Sequence, residues 1–463
     1  MEVQSGITLV QGRCEVLVHV SPAAFLRLHC MAVNLTRSAR SLTQWLLLGG
    51  LVGAMCGGAS ALFLFLLDEA TTFRERHSVI VYTLPLAGLV IGALYAKWGK
   101  PIRGGNNLVI DTVHEGDQQI PLRMGPMVLL GTVLTHLFGG SAGREGTAVQ
   151  IGGSLADAIA HRFRVTADIR RELLAAGIAG GFGSVFGTPI AGAVFGLEVV
   201  VVGRMGYEAL LPALVASVVG DLVTRSLGIV HTAYPVPGAL PLSGWVLAKW
   251  LVFAVAVAVV AIVFVEGTHR LKKLLEGWVP WLPVRMAVGG LAVVGLWELV
   301  GTNAYLGLGV PTIIRSFVDP ALPESAFAWK LLFTSVTLAS GFLGGEVTPL
   351  FFIGAALGNV LARLLGLPLD MGAAVGMAAL FAAAANTPLA LSIMAVELVG
   401  ASVLPHVVIV ATVAYLLTGH RGIYPSQRLA RLKHGGPLLS RLIPLRELPT
   451  EPPEPKASPE QQR

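Results

Sequence analysis

Charge is what this sequence has least of. Asp, Glu, Lys and Arg make up 13% of its 463 residues, against about 25% in ordinary soluble chains. That scarcity excludes a conventional soluble enzyme. Cysteine is equally sparse. Cys14, Cys30 and Cys56 lie near the N-terminus and form no C-x-x-C pair, which excludes a disulfide scaffold and a cysteine metal centre. No clean apolar run opens the chain, since Arg13, Glu15, His19, Arg27 and His29 interrupt Leu9–Cys30. A secretory signal peptide is therefore not expected. What abounds is apolar surface and glycine. Hydrophobic residues reach 54%, mean hydropathy is +0.72 and glycine numbers 55. Small residues let membrane helices approach closely, so the expected class is an all-α polytopic membrane protein.

Trp45–Leu67 and Val79–Ala96 carry no charge and suit bilayer spans. Leu173–Gly203 has one charge, Glu198, in 31 residues, and Leu398–Gly419 has only His406 as a titratable group. Gly and Pro break many other apolar segments. Broken helices at membrane depth occur where protein or a watery cavity satisfies the freed backbone, as at transporter sites. The expected organisation is an N-terminal extension over 1–40, with translation starting at Met1 or at Met31. A first membrane repeat follows over 41–230, a second over 231–432, and a disordered cytoplasmic tail over 433–463. Basic clusters at Arg37/Arg40, Arg162–Arg171, His269–Lys273 and Arg421–Lys433 should face the cytoplasm, placing both termini inside. The net charge of +6 belongs to these loops and gives no reason to expect nucleic acid.

Two pairs of segments repeat across the halves. GTPIAGAVFGLEVV from Gly187 matches NTPLALSIMAVELV from Asn386, aligning Pro189 with Pro388 and Glu198 with Glu397. GSAGREGTAVQIG from Gly140 matches GFLGGEVTPLFFIG from Gly341, aligning Gly143 with Gly344 and Glu145 with Glu346. Duplication together with broken helices suggests inverted repeats that meet at a site near the midplane. Glu198 and Glu397 sit at matching helix ends and are expected to serve architecture.

The densest motif is GGSAGREGTAVQIG, Gly139–Gly152. Glycine turns that feed a helix N-terminus expose backbone N–H groups to an anion. No Lys-Ser or Lys-Thr follows, so this is no nucleotide loop. Glu145 stands where an anion should bind. A carboxylate there is costly unless paired, which makes it a functional candidate. Its neighbour Arg144 is expected to point elsewhere on the helix and to be a poor partner.

Four motifs in order resemble the CLC anion channels and transporters over roughly residues 45–430. GGNN at Gly104–Asn107 stands where most members have a GSGIP-type loop. GREGT at Gly143–Thr147 is similar to the GREGP loop that bears the gating glutamate. GGEVTP at Gly344–Pro349 resembles the GGxFxP loop, and GIY at Gly422–Tyr424 the segment with the anion-coordinating tyrosine. The departures point further. Asn106 replaces the usual chloride-coordinating serine, Thr147 a proline, and Glu346, Val347 and Thr348 fill the third loop. Val199 stands where chloride/proton exchangers often carry a proton-transfer glutamate. This combination resembles the family's bacterial fluoride/proton antiporters.

The resemblance implies a CLC-like fold of two inverted repeats and a homodimer in the bacterial inner membrane. It also implies a secondary active transporter that exports fluoride for protons, confers fluoride resistance and uses no cofactor or metal. Glu145 would be the gating and proton-carrying glutamate. Asn106, Gly143, Gly146, Thr348 and Tyr424 would bind the anion, and Glu346 would couple it to protons. Fluoride is strongly hydrated, and Asn106 offers two N–H donors where serine offers one O–H. Bland alternatives stand beside these roles. Asn106 could cap a helix, Thr348 could bond its own backbone, Tyr424 could be an interface aromatic, and Glu346 could pair with Arg144 or Lys330. A chloride/proton antiporter or chloride channel is the alternative within the family. A remote alternative is an intramembrane serine hydrolase, since Gly139–Gly143 formally matches G-x-S-x-G. It would use Ser141 with His136, His406 or His420.

Overall fold

Two sets of eight α-helices follow one another among the described residues. The first set is α1 (Pro22–Arg76), α2 (Leu84–Trp98), α3 (Asn106–Glu115), α4 (Met124–Leu137), α5 (Glu145–Arg162), α6 (Ala167–Phe186), α7 (Pro189–Glu198) and α8 (Leu210–Ser226). The second is α9 (Gly244–Trp278), α10 (Leu282–Val300), α11 (Val310–Val318), α12 (Ala326–Ala339), α13 (Val347–Leu365), α14 (Leu369–Ala385), α15 (Pro388–Val399) and α16 (Leu404–Leu417). This computed structural model describes residues 8–10, 13–15, 22–116, 119–435, 438–439 and 441–448. By compactness it divides into residues 1–48 and 49–463. The first unit holds the hairpin of β1 (Thr8–Val10) and β2 (Arg13–Glu15) and the opening turns of α1. Met31 lies within that helix.

The duplication is visible in the element order. Helices α4, α5 and α6 start at 124, 145 and 167, and α12, α13 and α14 at 326, 347 and 369, each pair 202 apart. In each half the second helix of these three packs on the third, and the third packs on the last helix of its set. Among the described residues, six helices, α13 among them, are long and apolar enough to cross a membrane. Others are shorter because the chain breaks them. The apolar stretch Leu173–Gly203, expected as one segment, is two helices. Gly187 ends α6 at φ 74°, and Pro189 opens α7. Asn386 (φ 61°) and Pro388 repeat the break between α14 and α15. A left-handed residue ends a helix, and a proline at the next helix's start lacks only an N–H that had no partner there.

Glycine sets how close the helices come. A β-carbon on Gly152 would lie 2.1 Å from the Gly177 carbonyl oxygen, and one on Gly181 2.3 Å from that of Ala148. The second half repeats this seam. A β-carbon on Gly354 would lie 2.2 Å from the Gly376 oxygen, and one on Gly358 2.1 Å from that of Gly372. The backbones touch, and α6 is buried on every side from Leu173 and α14 from Met371. Helices that are apolar all round belong in the centre.

Glu198 and Glu397 join the halves as architecture. The Glu198 carboxylate accepts from the N–H groups of Leu389 (3.1 Å) and Ala390 (2.8 Å) at the start of α15. The Glu397 carboxylate accepts from Ile190 (3.0 Å) and Ala191 (2.7 Å) at the start of α7. Each acid thus caps the helix of the opposite repeat, where a negative charge meets the positive dipole end.

The C-terminal region departs from the expected disorder over 433–463. β4 (Arg428–Leu429) runs parallel to β3 (Val201–Val202) and antiparallel to β5 (Ile443–Pro444). Arg446 then pairs with Asp111 at 2.9 Å. Backbone pairing and an ion pair order 441–448, which holds a single proline, Pro444. The stretch 451–463 lies outside the described residues.

Two predictions follow from this packing. Gly152→Val or Gly358→Val should prevent assembly of the seam and leave aggregated protein on size-exclusion chromatography. Gly58→Ala, which meets nothing within 4 Å, should elute as wild type. Glu397→Ala should cost about 1 kcal/mol by removing the cap from two N–H groups at the start of α7, read as a lowered unfolding midpoint. Glu397→Gln, which keeps one acceptor, should lose less.

Candidate functional site

The two glycine loops predicted to correspond meet in space. Gly143 N–H donates to the Gly345 carbonyl at 2.6 Å, and Gly345 N–H donates back to Gly143 at 2.8 Å. The contact needs glycine on both sides. A β-carbon on Gly345 would lie 2.7 Å from the Gly146 nitrogen, and one on Gly344 2.4 Å from the β-carbon of Ala142. This bridge brings the N-termini of α5 and α13 together at the repeat interface.

Glu145, the first residue of α5, is fully buried. Its carboxylate sits on the N-terminus of α13 in the opposite repeat. Oε2 accepts from Thr348 N–H at 3.1 Å and from Arg144 N–H at 3.0 Å, and Oε1 accepts from the Thr348 hydroxyl. Thr348 therefore serves Glu145 and does not bond its own helix. Arg144 lies nearer than expected, its Nε 3.5 Å from Glu145 Oε1, within ion-pair range but with no hydrogen bond from that nitrogen. Arg144 is the cap preceding α5, with φ −113° and ψ −22°, so helical side-chain spacing does not govern it.

Asn106 opens α3 but caps nothing with its side chain. Its amide nitrogen would lie 2.9 Å from a β-carbon on Gly146, which keeps that glycine bare, and its Oδ1 is buried without a partner. Glu346 stands beside the same glycine, its Oε2 3.8 Å from that β-carbon position and also without a hydrogen-bond partner. Glu346 pairs with neither Arg144 nor Lys330. The Lys330 ammonium instead donates to the carbonyls of Gly307 (2.6 Å) and Tyr305 (3.1 Å). Tyr424 is 4% exposed, so it is no surface aromatic. Asn106, Glu346 and Tyr424 wall a cavity of about 560 Å³ that also reaches Lys272. A second cavity, of about 590 Å³, reaches Arg144 together with Arg74, Asp68 and Arg315. Neither is lined by Glu145 or Thr348.

Sequence reading missed the scaffold behind Tyr424. Gln427 is fully buried and donates to the carbonyls of Val199 (2.9 Å) and Ala385 (2.8 Å), at the ends of α7 and α14. Asn386 donates to its Oε1 at 3.0 Å. Ser426 N–H donates to Asn107 Oδ1 at 3.0 Å, and the Ser426 hydroxyl to Asp111 at 2.8 Å. The segment bearing Tyr424 is thus tied to both repeats and to α3, the helix that Asn106 begins. No local motif marks Gln427, because its partners are distant in sequence.

The hydrolase arrangement does not assemble. The Ser141 hydroxyl bonds Thr334 at 3.0 Å. Both ring nitrogens of His136 lie against backbone carbonyls, Thr132 at 2.8 Å and Ala142 at 2.9 Å, so one N–H is taken up there. His406 bonds the Leu240 carbonyl, and the segment before Ser141 is helix α4 rather than a strand.

Residues 87–419 match the voltage gated chloride channel family. The chain belongs to that family. It is 47% identical over 403 residues to the chloride/fluoride channel protein of Pseudomonas syringae pv. tomato, covering 86% of this chain and 89% of that one. Among solved structures it is similar to a CLC-type fluoride/proton antiporter at a TM-score of 0.81 and 38% identity, covering 84% of this chain and 98% of that one. A slow cyanobacterial Cl−/H+ antiporter aligns at a TM-score of 0.71 and 20% identity, over 81% of this chain and 94% of that one, and shows the shared fold alone. This membrane transport family is built from inverted repeats with broken helices, the architecture described above.

The geometry generates a structural prediction. Thr348→Val removes a charge-assisted hydrogen bond worth about 1.5–3 kcal/mol. An experimental structure of that variant should show the Glu145 side chain displaced from the α13 N-terminus, while Thr348→Ser keeps it in place.

Proposed function

We propose that this chain is a secondary active transporter that exports fluoride in exchange for protons and confers fluoride resistance. One observation carries the reading. The Glu145 carboxylate occupies the donor-rich N-terminus of α13 between two cavities, where it does for the protein what a bound anion would do. An ionised Glu145 fills the site. A proton neutralises it, the side chain leaves, and fluoride takes over the released donors. Fluoride and proton occupancy are then linked, so an inward proton gradient expels fluoride.

The other residues divide the work by position. Asn106 and Tyr424 face the cavity that contains Lys272, and the basic cluster His269–Lys273 assigns that side to the cytoplasm. They receive the anion there, with the backbone of Gly143 and Gly146 and the hydroxyl of Thr348 beyond them. Glu346 has a buried oxygen without a partner beside Gly146 and couples proton movement to the anion. The fluoride/proton antiporter at 38% identity and the chloride/fluoride channel protein at 47% support this substrate class. So does the combination of Asn106 with Val199. Chloride exchange or conduction is the second reading, favoured by the mention of both ions in that relative's name.

The working unit is a homodimer in the bacterial inner membrane. Ile190, Leu222, Leu389 and Leu404, on α7, α8, α15 and α16, present exposed apolar side chains for a second copy to cover. The membrane repeats are 41–230 and 231–432.

Purified protein in liposomes tests the reading with fluoride, chloride and pH electrodes. Fluoride efflux should far exceed chloride efflux and should draw protons the other way. In Glu145→Gln, fluoride flux should lose its proton coupling and its pH dependence. Normal coupling in that variant would sink the mechanism. Chloride flux equal to or above fluoride flux would transfer the protein to the second reading.

A further inference from the structure

The cavity walled by Asn106, Glu346 and Tyr424 carries more positive charge than those residues account for. Arg103, Lys272 and Arg285 also line it, against the acids Glu276 and Glu346. Arg285 is the informative one. It lies on the first turn of α10, and its side chain is only 11% exposed. Its Nε is buried without a hydrogen-bond partner. Its nearest acid is Glu276, whose Oε1 lies 3.5 Å from NH2, beyond the range of about 2.7–3.2 Å for a well-formed hydrogen bond. Glu276 is itself 44% exposed.

A guanidinium so deeply placed is destabilising unless its donors are taken up. A pair built for stability would close to bidentate contact, as Arg and carboxylate readily do. This pair stands open beside a cavity. A small hydrated anion in that cavity would satisfy the free donor and meet the field of Lys272, which is exposed on the same wall. An anion at Arg285 would also share one continuous space with Asn106 and Tyr424.

We infer that Arg285, with Lys272, forms a second anion-binding site that collects fluoride and passes it to Asn106. The inference rests on the anion-transport reading above. Glu276 is the built-in competitor. It partly neutralises Arg285, so the site holds the anion loosely enough to release it. Cations lining a low-dielectric cleft focus the field and raise the local anion concentration, and added salt screens that effect.

The test uses the full-length protein in liposomes, with fluoride as the probe and initial rates over a range of fluoride concentrations. Arg285→Gln should raise KM for fluoride about threefold or more, with kcat within about twofold of wild type. The dependence of KM on ionic strength should shrink in the same variant. Arg285→Lys should stay near wild type, which checks that loss of charge rather than loss of fold is responsible. Glu276→Gln should lower KM, because it frees Arg285. A purely structural ion pair predicts that both neutralisations move KM the same way, or leave it unmoved, and either result would overturn the inference. If wild-type protein moves no anion at all, the transport reading itself fails. If wild type transports and the variants match it, only the second site falls.

Discussion

A buried carboxylate on a helix N-terminus organises this protein. Glu145 belongs to the first repeat, and the donors that hold it belong largely to the second. That single contact requires the paired glycine loops, because any β-carbon at Gly345 or Gly344 would push the helix ends apart. It also requires the close seams between α5 and α6 and between α13 and α14, which aim those ends at each other. The inverted repeat therefore does more than duplicate a fold. It brings two positive helix termini to one point, where neither repeat alone could stabilise a negative charge.

The same principle appears in a permanent form elsewhere. Glu198 and Glu397 each cap a helix of the opposite repeat with two hydrogen bonds from backbone N–H groups. Those acids sit away from the cavities that reach the glycine loops, and nothing competes for their donors. Cavities reach the neighbours of Glu145, Arg144 on one side and Thr147 with Glu346 on the other, and in the proposed function its donors pass to another anion. Identical chemistry locks the architecture in one place and, under the proposed function, provides an exchangeable site in the other. The difference lies in access, not in residue type.

Charge placement outside the buried site follows the same economy. Most buried polar side chains are tied off. Lys330 is spent on two carbonyls, His136 lies against two more, and Gln427 is spent on the ends of α7 and α14. Against that background the partnerless atoms of Asn106, Glu346 and Arg285 stand out. All three lie on one cavity, so that cavity offers unsatisfied hydrogen-bonding groups to whatever enters it.

The sequence by itself determined the class, the duplication and the two glycine loops that meet. Scarce charge and abundant glycine specify packed membrane helices, Gly187-Thr-Pro and Asn386-Thr-Pro specify helix breaks, and the glycine loops mark where helix ends stay open. These signals are local, so they can be read one segment at a time. Tertiary structure decided what no segment contains. The Arg144 contact depends on a cap geometry outside the helix. Thr348 finds its acceptor about two hundred residues away. Gln427 orders the Tyr424 segment through partners on α7 and α14, and residues 443–444 pair as a strand despite Pro444. Each depends on which backbone atoms lie unpaired nearby, and only the assembled repeats place those atoms.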